Sequence, residues 1–292
     1  MTGVSIGTAR QIDFLKFRLG REMKNLEKEG LKVSLQESSA GKFNFVSCQV
    51  MPGGGQREDI QDVFHRRIAR TLSEIILGQW QQWLLKDIIR ENYYYFNEEE
   101  RQNIYRYALS HLGYGRDEQN PVYKHFFKKK IMDKILEFLR QNNQIIVEGF
   151  IRFRLKDYVE ELARAVEKAV DDFLMEREYQ EFIQLLKYFV EIQESRVELV
   201  HVVKLPGGTY TLLDEQEQVL KVDYLENIFM DLTDGEITYE DMLISTLITL
   251  APRKIIIHDA GSGPKSTVME TINLVFWGRV RECRGCALCQ KK

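Results

Sequence analysis

Cys283, Cys286 and Cys289 stand in a Cys-x-x-Cys-x-x-Cys run, and their types and spacing make them the strongest candidates for chemistry in this sequence. A two-residue spacer lets successive thiolates turn toward one ion, and Gly285 eases the tight turn between the first two. Zinc asks for four tetrahedral ligands, and a cubane iron–sulfur cluster also asks for four. The run supplies three, which leaves the fourth to His258, to Cys48 or to a ligand from outside the chain. His258 is preferred. It ends a strand carrying Ile255, Ile256 and Ile257, and a strand–helix–strand connection would return the tail to it. Cys48 follows Phe45-Val46-Ser47, a strand-like setting in which a lone cysteine reads as a small core residue. A three-thiolate, one-imidazole set suits zinc better than an exposed cluster, so zinc is the expected cofactor and an iron–sulfur cluster the alternative. A redox-active dithiol and a reduced, free tail are the other outcomes open to such a run.

Other chemical signals are weaker. Residues 260–266 follow a strand and precede a helix, which is the setting of a phosphate-binding loop. Asp259 and Pro264 stand where a Walker A loop needs glycine, and Pro264 removes an N–H that would face phosphate. No nucleotide is expected. Lys124, Lys128, Lys129, Lys130 and Lys134 share a helix with Phe126 and Phe127, a mixture that can bind nucleic acid. The phenylalanines, with Ile131, Ile135 and Leu139, read instead as a core face, and the lysines as its solvated opposite. Nucleic acid is therefore not an expected partner. The five histidines, His65, His111, His125, His201 and His258, show no His-x-x-x-His spacing. No Gly-x-Ser-x-Gly elbow or Asp-x-Asp pair occurs, so no catalytic residue is assigned and the sequence leans away from an enzyme.

The elements that must position these residues belong to a balanced globular chain. Its 292 residues leave room for about two domains, and 44% apolar with 29% charged residues excludes wholesale disorder. Forty-one Lys and Arg face forty-four Asp and Glu, and a net charge of −3 argues against a dedicated polyanion binder. Residues 1–8 lack the charged and apolar regions of a secretory signal, and no run of about 18–20 apolar residues suggests a membrane span. Four cysteines are too few for a disulfide scaffold of this length. The expected location is cytoplasmic, with reduced thiols.

Periodicity divides the chain in three, and the expected class is α+β. Residues 1–52 read as a small βαββ unit, with an amphipathic stretch from Ile12 to Leu26 stopped at Gly30 and two strand-like runs after it. Pro52-Gly53-Gly54-Gly55 marks a boundary. Residues 57–195 read as a helical bundle. Gly78 bends one helix, Asn97 caps another ahead of three glutamates, and Asn120-Pro121 opens a third. Phe150, Leu155, Val159, Leu162, Val166 and Phe189 are its expected core, with Phe182, Leu185 and Leu186 in a further stripe. Tyr93-Tyr94-Tyr95-Phe96 closes the core at a helix end. Residues 196–292 read as a second α+β unit, in which α/β character is also open. Its strands fall at 197–205, 209–214, 218–222, 253–258 and 278–282, and its helices at 225–232, 239–250 and 268–276.

Two stretches carry a family resemblance. The first runs from Val147-Glu148-Gly149-Phe150-Ile151-Arg152-Phe153-Arg154 through Tyr158 to Tyr179-Gln180-Glu181-Phe182 and Leu185-Leu186-Lys187-Tyr188-Phe189. The second is Cys283-x-Gly285-Cys286-x-x-Cys289 after Arg279-Val280. Together they resemble the YtxC-like family of sporulation proteins. The resemblance implies a cytoplasmic protein of endospore-forming bacteria and brings no catalytic residue with it. On its own chemistry, an extended 150–154 segment would set Arg152 and Arg154 on one face. Carboxylates such as Glu148 or an acidic partner would then answer them, as a structural clamp or a contact surface. The expected activity is non-enzymatic: interaction or regulation through an unidentified protein partner. Metal or cluster binding and nucleic-acid association are the alternatives.

Overall fold

The computed structural model describes residues 2–51, 57–113, 121–205, 209–220, 238–259 and 267–290. The boundary motif at 52–55, the turn at 206–208, the helix expected at 225–232 and the 260–266 loop lie outside them. Among the described residues, no helix is long and apolar enough to cross a membrane.

The fold is α+β. The chain opens with β1 (Thr2–Thr8), α1 (Ile12–Lys28), β2 (Lys32–Ala40) and β3 (Phe43–Met51), the expected βαββ order. Leu15, Leu19, Met23 and Leu26 recur at helical spacing and bury one side of α1. Gly30 then takes φ +90°, a conformation that a side chain would strain, and the chain turns into β2. Both β1 and β2 pair antiparallel with β3.

A largely helical stretch follows: α2 (Arg57–Ile75), a π-helical turn (Ile76–Trp80), α3 (Gln81–Asn92), α4 (Glu98–His111) and α5 (Pro121–Leu139). Gly78, where a bend is expected, lies within that π-helical turn. Asn97 and Glu100 form a reciprocal cap at the start of α4. Phe96 is buried edge-on against Phe173, at 5.5 Å between ring centres, while Tyr94 and Tyr95 are exposed. Then come β4 (Gln144–Ile146), α6 (Val147–Arg154) and the long α7 (Lys156–Ile192). Strand β4 pairs parallel with β1 and completes a sheet in the order β2-β3-β1-β4.

That short strand helps explain why packing divides the chain differently from periodicity. One buried cluster joins Val4, Ile6 and Val46 of the sheet to Leu19 of α1, Phe64 and Leu72 of α2, and Leu162 and Val166 of α7. The chain groups into two compact units, Met1–Leu174 and Met175–Lys292. The glycine-rich punctuation at 52–55 is a turn signal in the sequence, and the apolar core runs through both stretches that it separates.

Two expectations about side chains need correcting. Phe150, Leu155, Leu162 and Val166 are buried and Val159 packs against them, but Phe182, Leu185 and Phe189 are exposed. Ile183 and Val190 are buried there, and of the expected stripe Leu186 packs against the same core, so the inward face of α7 is only partly the one read in the sequence. On α5, Phe127, Ile131, Ile135 and Leu139 are buried, whereas Phe126 is exposed.

The second unit continues with β5 (Leu199–Lys204), β6 (Tyr210–Leu213), α8 (Tyr239–Leu250), β7 (Lys254–His258), α9 (Thr267–Val275), β8 (Val280–Glu282) and the single turn α10 (Ala287–Gln290). Its sheet runs β6-β5-β7-β8, with β6 antiparallel to β5 and the other pairs parallel. Of the strand expected at 218–222, the described part shows one bridge, Val219 to Leu213. Thr238 and Asp241 cap α8 reciprocally. Val200, Val202, Ile255 and Ile257 join Leu243 and Leu247 of α8 and Val268 and Ile272 of α9 in one core.

Candidate metal centre

Strand alternation sets the centre on the sheet face away from that core. Ile255 and Ile257 point into the helices, so the next residue, His258, points to the opposite side. In register beside it is Val203 of β5. The parallel ladder between β7 and β8 runs to Ile257 and Glu282, and the Cys283 N–H extends it by donating to the Ile257 carbonyl at 2.9 Å. The ladder thus carries Cys283 alongside His258. Gly285 then takes φ +120° and reverses the chain, and α10 turns Cys286 and Cys289 toward the same point. Leu288, on that turn, is buried with Val203 and Leu213.

The result is a group of four: His258, Cys283, Cys286 and Cys289, whose ligand atoms all lie within 4.8 Å of one another. His258 Nδ1 is 3.2 Å from the Cys286 sulfur and 3.5 Å from that of Cys289, and the two sulfurs are 3.9 Å apart. Such a set of three sulfurs and one imidazole nitrogen could hold a metal ion. Cys48 is not part of it. That thiol is buried on β3, and burial pushes it up to about 12.

Local fields act on the ligands in opposite directions. The Cys289 N–H donates to the Cys286 carbonyl at 3.1 Å, and the backbone N–H groups of Cys289 and Leu288 with the neighbouring thiols lower the Cys286 thiol against the opposing effect of burial. Burial raises the Cys289 thiol, and the nearby sulfurs add to that. Burial also lowers His258, and the neighbouring His201 ring lowers it further. A neutral imidazole keeps a lone pair for an ion, and a cation among the sulfurs would favour their thiolate forms.

The sequence reading passes over His201. Its Nδ1 lies 2.9 Å from His258 Nε2, the nitrogen turned away from the cysteines. The signal for it is faint: one polar residue between valines in β5, two positions before the register partner of a histidine that lies 57 residues away along the chain.

The other nominated residues are placed elsewhere. Glu148 is in the first turn of α6, where Oε1 accepts from the Thr8 hydroxyl at 2.6 Å and the Ala9 N–H at 3.2 Å. This fastens α6 to the end of β1. Its other oxygen, Oε2, is buried with no hydrogen-bond partner among the described residues. Arg152 and Arg154 are helical rather than extended, because Val147, Phe150 and Ile151 bury one face of α6 at i, i+3, i+4 spacing. Their guanidinium groups lie over the rings of Phe153 and Phe138, at 5.8 and 5.7 Å. Arg152 and Glu148 line a cavity of about 640 Å³ with Trp80, Trp83 and Ile151. On α5, Lys128 pairs with Glu74 at 2.8 Å, and Lys130 and Lys134 both meet Asp157.

Comparisons with known proteins agree on one lineage. A family model described as the YtxC-like family matches residues 66–281. The curated protein named "Uncharacterized protein YtxC" from Bacillus subtilis (strain 168) is 29% identical over 199 residues, covering 66% of this chain and 68% of that protein. No solved structure matches.

Proposed function

Because the chain belongs to the YtxC-like family, we propose that it is a cytoplasmic, non-enzymatic sporulation protein whose C-terminal tail is fastened by a structural zinc ion, and which acts through a protein partner. The observation that carries the zinc reading is the convergence of His258 Nδ1 with three cysteine sulfurs within 4.8 Å. With zinc–sulfur bonds of about 2.3 Å and zinc–nitrogen bonds of about 2.05 Å, a tetrahedron has sulfur–sulfur edges of about 3.8 Å and sulfur–nitrogen edges of about 3.6 Å. The Cys286–Cys289 separation of 3.9 Å and the His258 separations of 3.2 and 3.5 Å fall close to those edges. Four protein ligands leave no open position for substrate, which is the pattern of structural rather than catalytic zinc. The sporulation role rests on the family, and the non-enzymatic reading on the lack of a catalytic motif in the sequence.

The test is metal analysis of the native chain purified without oxygen or chelator, beside Cys286→Ser. We expect about one zinc per chain in the native protein, a colourless spectrum, and strong loss of zinc in the variant with its helical circular dichroism retained. Near-zero metal in both proteins would overturn the reading, as would iron with visible charge-transfer absorption.

A further inference from the structure

The C-terminal half of α7 carries an apolar seam that faces solvent. Met175, Phe182, Leu185, Phe189 and Ile192 are 69%, 53%, 51%, 42% and 59% exposed. They are not scattered. Met175, Phe182 and Phe189 follow one another at seven-residue intervals, and so do Leu185 and Ile192, with Glu178 one interval before Leu185. These are the a and d positions of a coiled-coil heptad, so all six lie along one side of the helix. Ile183 and Val190, on another side, are buried in the second unit's core. The two faces do different work: one is committed to the fold, and the other has the spacing of a helix–helix contact.

We propose that this face is where a second copy of the chain docks, as an antiparallel helix pair. Two observations choose the occupant. The first is self-complementarity. With a two-fold axis between residues 183 and 184, Met175 meets Ile192 of the second copy, Phe182 meets its Leu185, and Glu178 meets its Phe189. Every seam position of one helix then has a counterpart in the other, as an isologous interface requires. A parallel pair would instead set Glu178 against Glu178, two like charges at one level, whereas the antiparallel register holds them about 16 Å apart along the axis at 1.5 Å rise per residue. The second observation is area. With side chains of roughly 150–250 Å², the five exposed residues and the flanking Tyr188 present on the order of 600–700 Å². A pair would bury on the order of 1,200–1,400 Å² in total, within the range of stable specific interfaces. It would also cover an apolar patch larger than most monomers leave in water.

Sedimentation equilibrium of the full chain at micromolar concentration is expected to give twice the chain mass. Phe182→Glu combined with Leu185→Glu places charge at two exposed positions. It is expected to give the single-chain mass with the circular dichroism unchanged. Glu178→Leu removes the one polar seam residue and is expected to tighten self-association several-fold. Met175→Cys and Ile192→Cys proteins, mixed and oxidised, are expected to cross-link to each other more readily than either does to itself. A native chain that sediments as a monomer would overturn the proposal, whether the seam is then free, covered by this chain or reserved for another protein. A double variant that stays dimeric would also overturn it. Preferential self-cross-linking at either position, or no tightening by Glu178→Leu, would overturn the antiparallel register.

Discussion

The two nitrogens of the His258 ring have separate tasks. Nδ1 faces Cys286 and Cys289, and to bind an ion it must be unprotonated. The proton then resides on Nε2, which is 2.9 Å from His201 Nδ1 and can donate to it. This fixes both the tautomer and the ring plane, the usual role of an outer partner to a ligating histidine. His201→Ala leaves all four ligands in place but removes that acceptor. We expect zinc affinity to fall about 10–100-fold, read by competition with a chromophoric chelator, with unchanged stoichiometry at saturating zinc. Wild-type affinity in the variant would mean that the ring is held by its strand alone. At this scale the chemistry was partly legible in the sequence. The cysteine spacing and the strand ending in His258 pointed to the same four residues that the fold brings together. His201 was not legible, because its role depends on which strand lies beside β7.

Single elements were read best where the signal is local. Asn97 ahead of Glu98, Glu99 and Glu100 announces a helix start, and the Glu100 N–H donates to Asn97 Oδ1 at 3.0 Å while Glu100 Oε2 accepts from the Asn97 N–H at 2.8 Å. Asn97→Ala removes the side-chain half of this box. It is expected to cost about 1 kcal/mol, read as a lower denaturant midpoint with an unchanged slope. The misread elements are those where two patterns compete in a few residues. In Val147–Arg154, arginines at every second position suggest extension, yet the apolar residues at 147, 150 and 151 follow a helical period, and their burial decides. Strand β4 has three residues, too few for alternation to register, and only its pairing with β1 defines it. On α7 the apolar residues are more numerous than one buried face needs. Their pattern identifies a helix without saying which side turns inward.

Across the whole chain, the βαββ start, the helical middle and the later α+β segment were all legible as a sequence of elements. Their grouping was not. Turn residues are local, whereas a core is a sum of distant contacts, so the glycines at 52–55 could not reveal that Val46 and Leu162 share one buried cluster. The grouping has a thermodynamic consequence. His258, Cys283, Cys286 and Cys289 all belong to Met175–Lys292, and none belongs to Met1–Leu174. An ion bound there would be linked by mass action to the unfolding of one unit only. At a free ion concentration a hundred times the dissociation constant, that unit would gain about 2.7 kcal/mol. Differential scanning calorimetry should therefore resolve two heat-absorption peaks, one that slides down in temperature as a chelator is titrated in and one that stays where it is. A single peak moving as a whole would mean that the two units melt together. In a cell, the same linkage would make the lifetime of one part of this chain follow the supply of a trace metal while the other part ignored it.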